Sequence, residues 1–108
     1  MDYGNVEEKI KKYIDKIRVF FDVKLAILYG SYAKGFAKKD SDIDVAIFIN
    51  KNDKRGHLNR EKLLFKLRRD IDIRIEPNLF YIEEVKHKEK AGFVNEILKT
   101  GKILYKSK

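Results

Sequence analysis

Residues 29–48 read YGSYAKGFAKKDSDIDVAIF, and the reading of the fold turns on this stretch. Just upstream, Lys24 to Tyr29 is short, apolar and bounded by Asp22 and Gly30-Ser31, the pattern of a buried strand. The chain turns at Gly30. Between Gly30 and Asp40, two glycines and three lysines form a polar connection with room for one helical turn. A β-branched strand resumes from Ser41 to Ile49, and its alternation puts Asp42 and Asp44 on one face, about 7 Å apart at the backbone.

These parts suit a site for a nucleoside triphosphate and its metal ions. Gly30 lets the backbone approach a ligand with no Cβ in the way, and Ser31 opens a turn whose free N–H groups point outward, as phosphate oxygens require. Gly35 keeps the loop low, and Lys34 offers a positive charge to the phosphates. Asp42 and Asp44 converge on one hard cation, which favours Mg²⁺. Two carboxylates leave such ions under-coordinated, so a third acid is needed from a neighbouring strand. Asp70 to Glu76 alternates polar residues with isoleucine and is predicted to be a third strand, stopped by Pro77. Asp72 on that strand is the best candidate, with Asp70 its competitor.

The remaining elements are helical or short. Val6, Ile10, Tyr13, Ile14, Ile17 and Phe21 recur at three- and four-residue spacings, predicting an amphipathic helix over about 5–21. Leu58, Leu63, Leu64 and Leu67 mark a second helix from about His57 to Arg69, with Asn59 as a candidate cap. Asn78 to Val85 is ambiguous between an extended piece and a turn. Phe93, Val94, Ile97 and Leu98 form a last helix ended by Gly101, and Lys102 to Tyr105 a last short strand. The order describes one α+β domain over residues 1–108, a small mixed sheet flanked by helices in a two-layer arrangement.

Composition excludes several chemistries. There is no cysteine, hence no disulfide, thiolate zinc site or cysteine nucleophile, which fits a reducing cytoplasm. No apolar run approaches a membrane span, and the first residues show no signal peptide. Charged residues make up 39% of the 108, with no Gln or Trp, a balance that suggests a heat-adapted source. The net charge of +8 comes from 25 Lys and Arg against 17 Asp and Glu. It reads as a solvated lysine-rich surface, or as attraction to a nucleotide, RNA or an acidic protein. Tyr29 reads as core and Tyr32 stays open between core and base stacking. His57 and His87 read as surface residues, and Lys86 to Lys90 as a polar helix start.

The run from Gly30-Ser31 to Ser41-Asp42-Ile43-Asp44 resembles the signature of the DNA polymerase β-like nucleotidyltransferase superfamily, and the short chain looks like its minimal nucleotidyltransferase branch. The resemblance implies a palm-like mixed sheet, two Mg²⁺ ions, and transfer of a nucleoside monophosphate from ATP or another NTP with release of pyrophosphate. It further implies that Gly30 and Ser31 contact phosphates, that Asp42 and Asp44 bind both metals, and that Asp72 binds the metal nearest the acceptor hydroxyl. Lys34 stands where many minimal members have Arg, keeping the charge but not bidentate geometry. Minimal members often act as antitoxins on a helical HEPN-type toxin encoded beside them, frequently at a tyrosine. Nothing after Pro77 is long enough for the acceptor-holding domain of larger relatives, so a partner or a second copy must position the acceptor. The competing readings are a non-catalytic antitoxin that neutralises its partner by binding, and an RNA-terminal transferase needing another subunit.

Overall fold

A computed structural model of the chain describes residues 3–38, 40–52, 59–87 and 92–107. Helix α1 (Tyr3–Ile17) leads into strand β1 (Val23–Tyr29), the single turn α2 (Ser31–Lys34) and strand β2 (Ile43–Ile49). Helix α3 (Arg60–Leu67), strand β3 (Ile75–Tyr81), a 3₁₀ turn over Ile82–His87, helix α4 (Gly92–Thr100) and strand β4 (Lys102–Lys106) follow. The four strands lie in the order β3-β2-β1-β4. β1 runs antiparallel to both β2 and β4, and β3 runs parallel to β2.

The heptad-like stripe of α1 drives its docking. Val6, Ile10, Tyr13, Ile14, Ile17 and Phe21 are all buried, with Val23, Leu28, Ile43, Val45, Ile47 and Ile75 of the sheet and Leu64 and Leu67 of α3 in the same cluster. The helix stops at Ile17, short of the expected residue 21, and Phe21 reaches the core from the turn that follows, its N–H donating to Ile17 O at 2.9 Å. Opposite-facing residues, Leu25, Ile27, Tyr29, Ala46 and Phe48, pack with Val94 and Ile97 of α4. Because the central strands bury both faces, they read as continuous apolar runs. The mixed sheet flanked by helices is the expected α+β architecture, with α4 covering the second face.

The third strand departs from expectation. Residues 68–71 and 73–74 form turns, and β3 begins at Ile75 and continues through Pro77 to Tyr81. Asp72 drives the difference, because its carboxylate accepts the Arg74 N–H at 2.9 Å and so closes a turn on its own backbone. Ile73 is consequently 72% exposed, which breaks the apolar face that alternation suggested. Pro77 is tolerated because β3 is an edge strand, where a missing N–H on the solvent side costs no ladder bond. Asn59 stands at the cap position of α3, but in a left-handed conformation with no side-chain capping bond. The expected start of that helix, His57 and Leu58, lies outside the described residues.

Gly101 makes a tight junction between α4 and β1. Its N–H donates to Ile97 O at 2.8 Å, ending α4 directly against β1. A Cβ at this position would lie 2.6 Å from Ile97 O and 3.0 Å from Leu28 O. Gly101→Ala is therefore expected to destabilise the protein by about 2 kcal/mol, measured as a fall in thermal midpoint on the order of 10 °C.

Candidate active site

Gly30 ends β1 in a conformation (φ 73°, ψ −150°) that only glycine adopts without strain. That bend releases the chain into α2, where Lys34 N–H donates to Gly30 O at 3.1 Å and Phe36 N–H to Ser31 O at 2.9 Å. The first N–H groups of the turn have no acceptor within it. A Cβ on Gly30 would collide with Asp44 Oδ2, so the Gly30 turn and the acidic strand are in direct contact. Gly30→Ala would move that carboxylate as well as straining the backbone. It is expected to cost about 1–3 kcal/mol of stability, read by urea unfolding.

Asp42 lies one residue before β2, and Asp44 is the second residue of the strand, opposite Tyr29 of β1 and Glu76 of β3. Side chains opposite one another on adjacent strands point to the same face. Glu76 is therefore the carboxylate that the neighbouring strand delivers to Asp44. Burial, then the charge of Asp42, then that of Glu76 push the Asp44 carboxyl above its usual range. The same environment pushes the Tyr29 hydroxyl up to about 12, through burial first and then Asp44. Asn78 Nδ2 donates to that hydroxyl, and the Phe93 ring meets the Tyr29 ring edge-on at 5.8 Å.

Asp72 is held elsewhere. Its carboxylate accepts from Arg74 Nε at 3.0 Å, Arg74 Nη2 at 2.7 Å and Lys9 Nζ of α1 at 3.1 Å, and only 8% of the side chain is exposed. These donors, those of Arg74 foremost, hold its carboxyl well below the usual range. Arg74 Nη1 in turn donates to Tyr32 OH at 2.9 Å, so Asp72 belongs to the α1 and α2 side of the sheet. Asp70 is an exposed partner of Lys16 at 3.2 Å. The structure thus brings together Gly30, Ser31, Asp42, Asp44 and, unforeseen, Glu76; it brings neither Asp72 nor Asp70 to them. The available signal for Glu76 was its place on the same polar alternation as Asp70, Asp72 and Arg74.

Residues 8–108 match the domain family described as Polymerase beta, Nucleotidyltransferase. The chain belongs to this family. Its fold is similar to that of a crystal structure of a toxin-antitoxin with AMP-PNP, at 26% identity and a TM-score of 0.62, covering 94% of this chain and 74% of that one. It is also similar in fold to a crystal structure of a toxin-antitoxin MntA-HpeT mutant, at 21% identity and a TM-score of 0.52, covering 100% and 76%. No curated protein matches the chain significantly.

For a nucleotidyltransferase the donor chemistry at this face fits a hard divalent cation. Among the described residues no cation lies within ion-pair distance of Asp42 or Asp44, and Glu76 has only Arg68 Nη1 at 3.9 Å. Burial first, then the charges of Asp42 and Glu76, raise Asp44, and a cation bound there relieves both. As the side chains stand, no three Asp, Glu or His among the described residues converge on one point. Asp44 Oδ2 faces the Gly30 turn instead, so rotation about its side-chain bonds is needed before it faces Asp42 and Glu76 together.

The other expected residues divide. Lys34 pairs with Glu96 of α4 at 3.6 Å, with both side chains about half exposed; such a pair holds the amine weakly. Tyr29 and Tyr32 are both buried, 8% and 4% exposed, which makes core residues of both. His57 lies outside the described residues, as do the side chains of Lys86 to Lys90, including His87. No helix among the described residues is long and apolar enough to cross a membrane.

Proposed function

We propose that this nucleotidyltransferase, acting as a single minimal domain in the cytoplasm, moves an NMP, AMP foremost, from an NTP to a hydroxyl on a partner protein. The partner we infer is a HEPN-type helical toxin encoded nearby, which makes the chain its antitoxin. The observation that carries the reading is the contact of the Gly30 turn with Asp44, which itself stands between Asp42 and Glu76 on one sheet face. The likeness to a toxin-antitoxin with AMP-PNP supports the nucleotide and the partner class.

Asp42, Asp44 and Glu76 would hold Mg²⁺, which when bound neutralises triphosphate charge and acidifies the attacking hydroxyl. Gly30 and Ser31 accept the phosphates against the turn, with Lys34 available once it leaves Glu96. The acceptor oxygen bonds to the α-phosphorus as the bond from that atom to the pyrophosphate oxygen breaks. Glu76, rather than the ion-paired Asp72, takes the hydroxyl proton at a carboxylate oxygen. Side-chain carboxylates within reach of the reacting hydroxyl suit that task.

The test is incubation with Mg²⁺ and each α-labelled NTP, with and without the protein encoded by the adjacent gene. Label on that protein, lost in Asp42→Asn and Asp44→Asn, is the expected result. A tight complex without label would replace transfer by neutralisation through binding. Label on added RNA alone would make the chain a terminal transferase.

A further inference from the structure

Arg74 touches both halves of the candidate site without facing it. Its carbonyl accepts the Ile43 N–H at 2.8 Å, the peptide between Asp42 and Asp44. Its guanidinium donates to the hydroxyl of Tyr32, the residue after Ser31, at 2.9 Å. The direction of that guanidinium is fixed by Asp72, which accepts from Nε at 3.0 Å and from Nη2 at 2.7 Å, and Asp72 is fixed in turn by the Arg74 N–H and by Lys9 Nζ. Tyr32 is 4% exposed, so its ring cannot swing away while the core stays packed.

We propose that Arg74, aimed by Asp72, is a positioning residue that fixes the distance between the Gly30-Ser31 turn and the Asp42/Asp44 pair, and thereby sets nucleotide affinity. The proposal rests on the reading of Gly30 and Ser31 as the phosphate turn. α2 is one turn of helix, too short to hold its own orientation by internal hydrogen bonds. Its direction must come from outside, and the Tyr32 hydroxyl is a fixed point beside Ser31. Bidentate pairing with a carboxylate leaves a guanidinium with one planar direction, which an ammonium does not have. Arg74 thus joins a rigid carboxylate fork to the turn through one side chain and to the acidic segment through its backbone.

The test uses Tyr32→Phe, which deletes one oxygen and keeps the ring in the core, together with Arg74→Lys. Titration of the full chain with AMP-PNP and Mg²⁺ is expected to show affinity weakened about fivefold to tenfold in either variant. Pairing the two substitutions should weaken it no further, because both break the same link. For transfer, KM for the nucleotide should rise while kcat at saturation stays within about twofold. Amide exchange measured without nucleotide should accelerate in Tyr32→Phe at residues 31–36, with the thermal midpoint little changed. Unaltered exchange there, or wild-type affinity in Tyr32→Phe, overturns the proposal. If the wild type binds no nucleotide, the phosphate-turn reading falls with the affinity claim, and the exchange experiment alone still decides whether the clamp exists.

Discussion

Asp44→Asn is expected to abolish nucleotide transfer and, in Mg²⁺-free solution, to make the protein more stable. Both effects come from one property of the position. Asp44 is partly buried between Asp42 and Glu76, so its ionised form is disfavoured and its carboxyl is raised. A carboxyl with a raised folded-state value binds its proton more readily in the folded chain. Its contribution to stability is therefore unfavourable at neutral pH and vanishes as pH falls through that raised value. Asparagine removes the charge at all pH. The expected gain is about 0.5–1 kcal/mol, the size of like-charge relief between opposed strand residues. Added Mg²⁺ should raise the thermal midpoint of the wild type and leave that of Asp44→Asn unchanged. Loss of one ligand to a catalytic metal removes several kcal/mol of transition-state stabilisation, so transfer should fall about a thousandfold. A variant that is less stable than wild type without metal, or that still transfers label, would remove Asp44 from the site.

The stretch from Lys24 to Ile49 was legible in the sequence because local and tertiary preferences agree there. Apolar runs bounded by Gly30 at one end and Asp42 at the other leave only buried strands as solutions, and the face shared by Asp42 and Asp44 follows from the pleat. The stripe of α1 was legible for the same reason, down to Phe21, although the helix itself ends four residues earlier. Asp70 to Glu76 was misread because its strict alternation is a strand signal that a side chain overrides. Asp72 captures the Arg74 N–H, turns the chain and delays the strand until Ile75. That delay moves the strand's neighbour to Asp44 from Asp72 to Glu76. No local pattern encodes it, because the partners that stabilise the turn include Lys9, 63 residues away. Pro77 compounded the error, since a proline stops a central strand but not an edge strand, and strand order is a property of the whole sheet.

Glu76→Gln and Asp72→Asn are accordingly expected to fail in opposite ways. Glu76 is partly exposed and, among the described residues, is held only by Arg68 at 3.9 Å, so its glutamine variant should fold with nearly wild-type stability and lose transfer about a thousandfold. Asp72 is nearly buried and takes charged donors from both Arg74 and Lys9. Asn at that position keeps the turn's backbone acceptor but loses the ion pairs, leaving Arg74 without its fixed direction. The expected loss is about 2–3 kcal/mol, a midpoint lower by roughly 10–20 °C. The pH dependence separates the two further. The Asp72 carboxyl is depressed in the folded chain, so its stabilisation is complete above the ordinary carboxylate value near ~3.9 and is lost as pH falls from there through the folded value. Wild type and Glu76→Gln should therefore both lose stability on the acid side below about pH 4, and Asp72→Asn should show a flatter acid limb. Urea unfolding from pH 7 to 2 measures it. If Asp72→Asn keeps full stability while transfer is abolished, and Glu76→Gln retains transfer, the third carboxylate is Asp72 and the register of β3 against β2 is not the one that positions the acids.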